Sequence, residues 1–273
     1  MTAAWGAGLR LAVGTLTVFP VRPVDVNRTV AGWAMLFAPL AGLLLAVASG
    51  ILLGGLLAVG TSPLLAAVLT LGLLTVLTRG LHLDGLADLA DGLGSARPAE
   101  QAVDIMRRSD IGPFGVLSLI FTVAIQAAAL SHIAALGTVT VAGALGGAVI
   151  SGRLAVTWTC RRGVPAGRAE GLGAMVAESV SARGAGTVVV LVLLGCSMVG
   201  ALATTVGTTP VGTVWMSVVL PLASLGGLAT AEALRRHAVR RLGGITGDVL
   251  GAVCEVATTA TLVLSAVLLS WIP

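Results

Sequence analysis

Hydrophobic runs long enough to cross a bilayer recur along the whole chain, separated by short polar stretches. A helix needs about 20 apolar residues to cross the hydrocarbon core. We therefore predict an all-α fold, a polytopic membrane helical bundle that forms one integral domain over residues 1–273. Residues 1–20 are shorter and weakly amphipathic, which predicts an interfacial or re-entrant helix and leaves an eighth span open. The seven predicted spans are residues 31–54, 63–80, 113–136, 138–160, 184–206, 211–233 and 248–272.

The polar stretches contain almost all of the positive charge. All sixteen basic residues are arginines, and fifteen of them fall on one side of the membrane if the N-terminus is cytoplasmic. The remaining one, Arg153, lies within a span. Arginines are retained on the cytoplasmic side of membrane proteins, so we predict seven spans with a cytoplasmic N-terminus. The longer polar segments, about 80–112, 161–183 and 234–248, would then face the cytoplasm, and so would any reaction.

Composition excludes most other classes of protein. The chain is 56% hydrophobic and 10% charged, whereas a soluble domain averages about 25% charged residues. A sequence pI near 10.1 would suit a nucleic-acid-binding protein, but the arginines are scattered between apolar spans, so we predict no nucleic-acid partner. The cysteines form no CxxC pair, which predicts packed, reduced thiols. They are Cys160, Cys196 and Cys254.

Three of the twelve acidic residues lie within the stretch "HLDGLADLADGLGS", residues 82 to 95. Asp84, Asp88 and Asp91 follow the spacing i, i+4, i+7, so they fall on one stripe of a helix. Carboxylates this close repel each other unless a cation lies among them. Oxygen ligands favour a hard ion, above all Mg²⁺, which keeps several waters and shares phosphate oxygens with a substrate.

Other interpretations of this cluster stay open at this point. The stretch would be a solvated loop if its acids paired with Arg79 and Arg97. Carboxylates at a membrane edge also occur in ion pathways and proton relays, so the cluster alone does not separate an enzyme from a transporter. Gly85 and Gly92 are expected to leave room for a bulky ligand near the backbone.

Three basic or titratable residues are further candidates. Arg107 lies in residues 100–115, which are typical of a short amphipathic helix, and its guanidinium suits phosphoryl oxygens or simply marks topology. His82 is a candidate base or phosphate contact, or a structural residue. Arg153 either neutralises the carboxylates or a bound diphosphate, or extends its charge to the interface.

The stretch "LGGITGDVLGAVCEVA", residues 242 to 257, combines a glycine-rich turn with a helix start. We predict that Thr246 caps a helix beginning near Asp248. Backbone N–H groups at such a start suit a phosphate, which makes Gly244 and Thr246 candidate binding residues. Glu255 lies in an apolar span, where a charge is costly. We expect it to point into the bundle, toward the aspartates or toward a hydrogen-bonding neighbour helix.

The motifs "HLDGLADLADGLGSA", "DIMRRSDIGPFGVLSLIF", "EGLG" and "GGITGDVLGAVCE" resemble, in order and spacing, those of the cobalamin synthase family. These are the adenosylcobinamide-GDP ribazoletransferases, multi-pass proteins of the bacterial cytoplasmic membrane. The resemblance extends from "LTVFPVRP" to the last span. It implies a Mg²⁺-dependent enzyme that joins adenosylcobinamide-GDP to α-ribazole or its 5′-phosphate. The products are adenosylcobalamin or its phosphate, and GMP.

The resemblance also suggests roles for individual residues. Asp84, Asp88 and Asp91 match the family's aspartates by position, and Asp248 matches its TGD aspartate. We hypothesise that these four hold one or two Mg²⁺ ions, with Asp91 or Asp88 also acting as the base. His82 is a further catalytic candidate. Arg107 and Arg153 would steady the diphosphate.

Two alternatives and one departure accompany this hypothesis. The family usually has a basic residue, an acidic one and another basic one after "IM", whereas here Arg108 and Asp110 have exchanged places. A CDP-alcohol phosphatidyltransferase would carry Arg where Asp88 stands, so that pattern fails. A divalent-cation transporter would show internal repeats and broken helices at mid-membrane, and we find no convincing repeat.

Overall fold

The computed structural model describes residues 2–202 and 210–271, with side chains from residue 4 onward and not for 210–214. Within these ranges the chain is helical, with two isolated β-bridges and no strand, so the all-α prediction is confirmed. The helices are α1 Thr2–Leu16, α2 Arg28–Leu36, α3 Ala38–Ala58, α4 Pro63–Leu77, α5 Leu81–Gly94, α6 Ala99–Ile105, α7 Pro113–Ala134, α8 Thr138–Thr159, α9 Leu172–Val176, α10 Ala182–Leu202, α11 Pro210–Leu242 and α12 Gly247–Leu269.

Six of the described helices are long and apolar enough to cross a membrane. They are α3, α7, α8, α10, α11 from Trp215 and α12. Helices α4 and α5 meet at a 90° bend and together would make a seventh span. The structure is therefore that of a polytopic membrane bundle, with six spans or seven if the bent pair counts as one.

Two of the predicted span boundaries were wrong because the chain turns where hydropathy continues. The predicted span 31–54 is divided at Phe37 into α2 and α3, since a proline at the start of α3 favours a new first helical turn. The predicted span 63–80 ends at Leu77, after about 22 Å of helix. Arg79 and Gly80 then adopt left-handed backbone conformations, with φ of 56° and 67°, and turn the chain into α5.

The last three predicted spans agree with helices of somewhat different extent. The span 184–206 corresponds to α10, and residues 203–206 lie outside the described part of the chain. The span 211–233 continues as helix to Leu242, so most of the predicted polar segment 234–248 is helical. The span 248–272 corresponds to α12, and residue 272 is not described. The N-terminal helix predicted within residues 1–20 is α1.

Helix α12 lies at the centre of the molecule. It packs against α5, α7, α8 and α11, while α3 packs on the far side of α8. Residues 161–181, which connect α8 to α10, form a loop that contains α9 and returns to the start of α12. All three cysteines are buried and free, as predicted. The α12 N-terminus is thereby surrounded by α5 on one side and by this loop on the other.

Candidate active site

The site is built on a close crossing of α5 and α12. A Cβ atom at Gly85 would lie 2.9 Å from the Asp248 carbonyl oxygen and 3.2 Å from the Cα of Gly251. A Cβ at Gly251 would lie 3.0 Å from the His82 carbonyl oxygen. Backbone therefore packs on backbone at this point, as small residues allow between membrane helices. This contact brings the aspartates of α5 beside the first turn of α12.

The expectation that two glycines of α5 leave room for a ligand was wrong. The backbone of α12 fills the space beside Gly85, as just described. Beside Gly92, a Cβ would meet the Met106 side chain at 2.6 Å and the Ala102 carbonyl oxygen at 3.2 Å. Both glycines serve helix packing, and the ligand space lies elsewhere.

That space is a cavity of about 290 Å³ at the α5–α12 crossing. Its polar lining comes from five side chains on four separate parts of the chain: Thr15, His82, Asp84, Arg168 and Asp248. The rest of the lining is largely apolar, from α1, α2, α8 and α9 as well as α5 and α12: Leu16, Met35, Leu81, Val156, Leu172 and Leu250. A small polar centre within apolar walls is typical of a binding site for an organic ligand.

The predicted aspartate stripe exists on α5, and its first two members lie near the cavity. Asp84 is exposed and lines it, and Asp88 is half-buried one turn further on, outside the lining. The negative charges of Asp84, Asp248 and Asp91 all act on Asp88, against the positive charge of Arg168. Acid–arginine pairing with Arg79 is not seen, since that guanidinium donates to the carbonyls of Gly14 and Thr15. The solvated-loop interpretation therefore fails.

Asp91, the third member of the stripe, is engaged by the backbone of another helix. It is buried, and its two carboxylate oxygens accept hydrogen bonds from Gly112 N at 2.7 Å and Gly115 N at 2.9 Å. These N–H groups belong to the N-terminus of α7, where a carboxylate satisfies unpaired donors and complements the helix dipole. Asp91 does not line the cavity. The geometry thus favours a structural contact over the hypothesised role of base or metal ligand.

The predicted cap at the start of α12 is confirmed. The Thr246 hydroxyl accepts a hydrogen bond from Val249 N at 3.3 Å and donates one to Asp248 Oδ2 at 3.1 Å. Thr246 is buried, whereas Gly247 and Asp248 line the cavity. Thr246 therefore orients Asp248 and begins the helix, and the backbone of Gly247 lines the cavity at this end.

Gly244 does not reach the cavity. Its Cα faces the backbone of Ala166 and Gly167, with no space for a side chain. Ile245 N donates to the Pro165 carbonyl and Gly167 N to the Ile245 carbonyl, each at 2.9 Å. Gly244 is therefore a packing residue rather than a ligand contact, and it fixes the 165–167 loop against the α12 start.

The contact between the 165–167 loop and the start of α12 brings another residue to the site, which was not predicted from the sequence. Arg168 follows the docked loop, lines the cavity and places its guanidinium 3.4 Å from Asp248 Oδ2. It also donates to the Val103 carbonyl at 3.4 Å. From the sequence, Arg168 was predicted only to be one of the fifteen cytoplasmic arginines. Its position beside "EGLG" was a usable signal of a role in the site. It is the cation nearest to the acidic cluster in the described lining.

Two of the proposed diphosphate contacts lie away from the cavity. Arg107 is exposed beyond α6, as are Arg108 and Asp110, so the exchanged pair takes no part in the lining. Arg153 is buried, and it is separated from the cavity by His82. Arg168, which lines the cavity, is instead placed to make the diphosphate contacts that were expected of Arg107 and Arg153.

Glu255 points to a neighbouring helix. Its Oε2 accepts a hydrogen bond from Gln126 Nε2 of α7 at 3.1 Å, and the same amide donates to Thr259 at 2.9 Å. This is the second of the two orientations expected for Glu255. The aspartate cluster is therefore completed by Asp248 alone from α12.

Comparison with known proteins agrees with these motifs. The model of the cobalamin-5-phosphate synthase family matches residues 8–266. This chain belongs to that family. Relatives called adenosylcobinamide-GDP ribazoletransferase occur in Frankia casuarinae, 39% identical over 94% of this chain and 93% of the relative, and in Nocardioides sp., 39% identical over 96% and 97%. A third, from Allorhizobium ampelinum, is 36% identical over 83% of this chain and 84% of the relative. No solved structure matches the chain significantly.

Proposed function

We propose that this protein joins adenosylcobinamide-GDP to α-ribazole or its 5′-phosphate and releases GMP. The names of its relatives support this activity. The observation that carries it is the convergence of Asp84, Asp248 and Arg168 on one cavity, beside Asp88. A cluster of acids with one arginine at its edge suits a metal-bound diphosphate, and the apolar walls suit the less polar parts of the substrates.

The reaction requires positioning more than covalent chemistry by the protein. The ribose hydroxyl oxygen forms a bond to the phosphorus attached to cobinamide, and the bond from that phosphorus to the bridging oxygen breaks, so GMP leaves with that oxygen. Arg168 binds the phosphoryl oxygens. Asp88 takes the hydroxyl proton, because it is half-buried beside Asp84 and Asp248, whereas both carboxylate oxygens of Asp91 already accept backbone hydrogen bonds.

The donor set fits a divalent ion that is bound partly by water and substrate. Among the described residues no group of three or more His, Cys, Asp or Glu side chains is placed to hold a metal ion directly. Mg²⁺ commonly binds through one or two carboxylates together with phosphate oxygens and waters. We assign these carboxylates to Asp84 and Asp248, with Asp88 behind them. When bound, Mg²⁺ would neutralise the diphosphate oxygens.

The orientation of the site follows from the distribution of arginine. We propose that the cavity opens toward the cytoplasm of a bacterial cell, because the polar segments around it carry most of the sixteen arginines. Water-soluble α-ribazole and GMP would then enter and leave on that side. The bulky corrinoid would extend from the cavity toward the cytoplasm or the inner leaflet.

The direct test is to incubate the purified protein with adenosylcobinamide-GDP, α-ribazole 5′-phosphate and Mg²⁺. GMP and the cobamide phosphate should form in equal amounts, and chelation of Mg²⁺ should stop both. Absence of the cobamide product from folded protein would refute the proposal. Release of CMP from a CDP-alcohol would indicate the phosphatidyltransferase alternative, and metal uptake by vesicles without a corrinoid would indicate a transporter.

A further inference from the structure

A buried pair of side chains lies at one wall of the cavity, and its first member, His82, lines that wall. His82 of α5 is 2% exposed and lines the cavity, and Arg153 of α8 is 3% exposed behind it. The Arg153 guanidinium faces His82 Nδ1, with Nη2 and Nδ1 3.4 Å apart, and its other terminal nitrogen donates to the Val149 carbonyl at 3.4 Å. His82 Nε2 is buried without a hydrogen-bond partner in the described protein.

This contact determines where the imidazole carries its proton. A guanidinium has five N–H donors and no acceptor. The nitrogen that faces it, Nδ1, must therefore offer its lone pair. A neutral imidazole with a free lone pair on Nδ1 carries its hydrogen on Nε2. Nε2, the buried atom without a partner in this residue of the cavity wall, is accordingly an N–H donor.

We propose that Arg153 holds His82 in the Nε2–H form, and that His82 donates a hydrogen bond to a phosphoryl oxygen of the bound diphosphate. The inference rests on the proposed function for the identity of that acceptor. Buried donors are nearly always paired, and a diphosphate held beside Asp84 and Arg168 presents oxygens in the same cavity. Arg153 is then a positioning residue, which acts on substrate only through His82.

This assignment separates two roles that the sequence left open for His82. A base would need a free lone pair facing the reacting hydroxyl, whereas Nε2 has a hydrogen in this arrangement. It also replaces the role hypothesised for Arg153, because a direct diphosphate contact would require its guanidinium to line the cavity. The two residues together supply one oriented donor.

The tautomer can be measured without any activity. The chain has three histidines, and His132 and His237 are both exposed. Substituting both, as His132→Asn and His237→Asn, leaves His82 as the only site labelled by ¹⁵N-histidine. We expect ¹⁵N NMR in nanodiscs to show a protonated Nε2 and an unprotonated Nδ1. A protonated Nδ1 would overturn the proposal.

Substrate binding tests the donor itself. The probe is adenosylcobinamide-GDP with Mg²⁺ and without α-ribazole, titrated into purified protein. His82→Gln retains an N–H near the Nε2 position and should bind within a few-fold of wild type. His82→Leu lacks the donor and should bind about 10- to 100-fold more weakly, the usual range for a hydrogen bond to a charged group. Equal, near-normal binding by both variants, with turnover lost in both, would indicate a base and refute the donor role.

Variants of the second residue test positioning. Arg153→Lys keeps a group that only donates, so the tautomer and the affinity should be largely retained. Arg153→Gln presents both a donor and an acceptor, so the Nδ1–H form should appear and the affinity should fall toward that of His82→Leu. An unchanged tautomer in Arg153→Gln would remove Arg153 from the proposal. Failure of wild-type protein to bind the corrinoid would refute the proposed function instead, and the tautomer measurement would stand.

Discussion

Asp88 and Asp91 lie one turn apart on α5 but have different surroundings. The stripe that contains them could be predicted, because helical spacing is local information. The difference in their surroundings could not be predicted. The N–H groups that bind Asp91 belong to Gly112 and Gly115, which come near Asp91 only when the chain folds. Thr246 is the opposite case, because a capping hydroxyl and the N–H that donates to it lie within three residues.

This difference leads to opposite expectations for two matched substitutions. Asp88→Asn should abolish GMP formation and leave the thermal midpoint unchanged or higher, because it removes repulsion by Asp84 and Asp248. Asp91→Asn retains one acceptor oxygen instead of two, and it should destabilise the protein by about 1–2 kcal/mol. Thermal unfolding in detergent and GMP release measure the two effects. The control is Asp25→Asn, at an exposed position, which should change neither stability nor GMP release. A stable but inactive Asp91→Asn would instead support the role of base or metal ligand for Asp91.

Arg168 neutralises Asp248 and should bind phosphate when substrate is present. Arg168→Met removes a guanidinium 3.4 Å from Asp248 Oδ2, and both side chains are about one-fifth exposed. We expect Mn²⁺, as a probe for Mg²⁺, to bind about 2- to 5-fold more tightly, the range of a solvent-screened ion pair. The KM for adenosylcobinamide-GDP should rise at the same time. Electron paramagnetic resonance measures free Mn²⁺.

The control for this substitution is Arg183→Met, which removes an exposed arginine outside the cavity lining. It should change neither Mn²⁺ affinity nor KM. Weaker Mn²⁺ binding by Arg168→Met would mean that the arginine organises Asp248 rather than competes with the ion.

At the scale of elements, glycines decide how the site is assembled. The sequence favoured the idea that Gly85 and Gly244 accommodate a ligand, because a glycine-rich motif beside acidic residues is compatible with ligand contact. In the structure they allow close backbone contacts, of α5 with α12 and of residues 165–167 with the turn before α12. Which neighbour fills the space beside a glycine depends on tertiary packing and is not encoded in the local pattern.

The α5–α12 contact should be sensitive to a single methyl group. Gly85→Ala would place a Cβ 2.9 Å from the Asp248 carbonyl oxygen, where backbone must move. We expect a loss of about 1–3 kcal/mol in stability, with GMP release reduced more strongly because Asp84 and Asp248 move apart. Gly50→Ala, which has no atoms within 4 Å of its new Cβ, should be neutral or slightly stabilising. Equal behaviour of the two variants would show that the crossing is not tightly packed.

At the scale of the whole molecule, hydropathy predicted the helices better than their bends. Runs of apolar residues identified α7 and α8 to within a few residues, because a helix in a bilayer must satisfy its own backbone. Apolar residues continue almost up to Arg79 and Gly80, so hydropathy gave no sign of the turn there. The predicted span 63–80 therefore included the turn. The 90° bend matters for topology, because α4 and α5 either cross together or return to the same side.

Chemical labelling can decide between these two topologies. Val59 directly follows α3 before the turn to α4, Glu100 lies on α6 after α5, and both are exposed. If α4 and α5 form one broken span, as the arginine distribution favours, Val59→Cys and Glu100→Cys lie on opposite sides. A membrane-impermeant maleimide should then label Glu100→Cys in inside-out vesicles and Val59→Cys in spheroplasts.

The wild-type chain is the background control, because its three cysteines are buried. Labelling of both variants from the cytoplasmic side would make α4 and α5 a re-entrant pair and leave six spans. The aspartates would then lie on a hairpin inserted from the cytoplasm, and one crossing, α3, rather than two would precede the arginines that follow α5. The same experiment thus fixes both the span count and the side from which the diphosphate reaches Asp84.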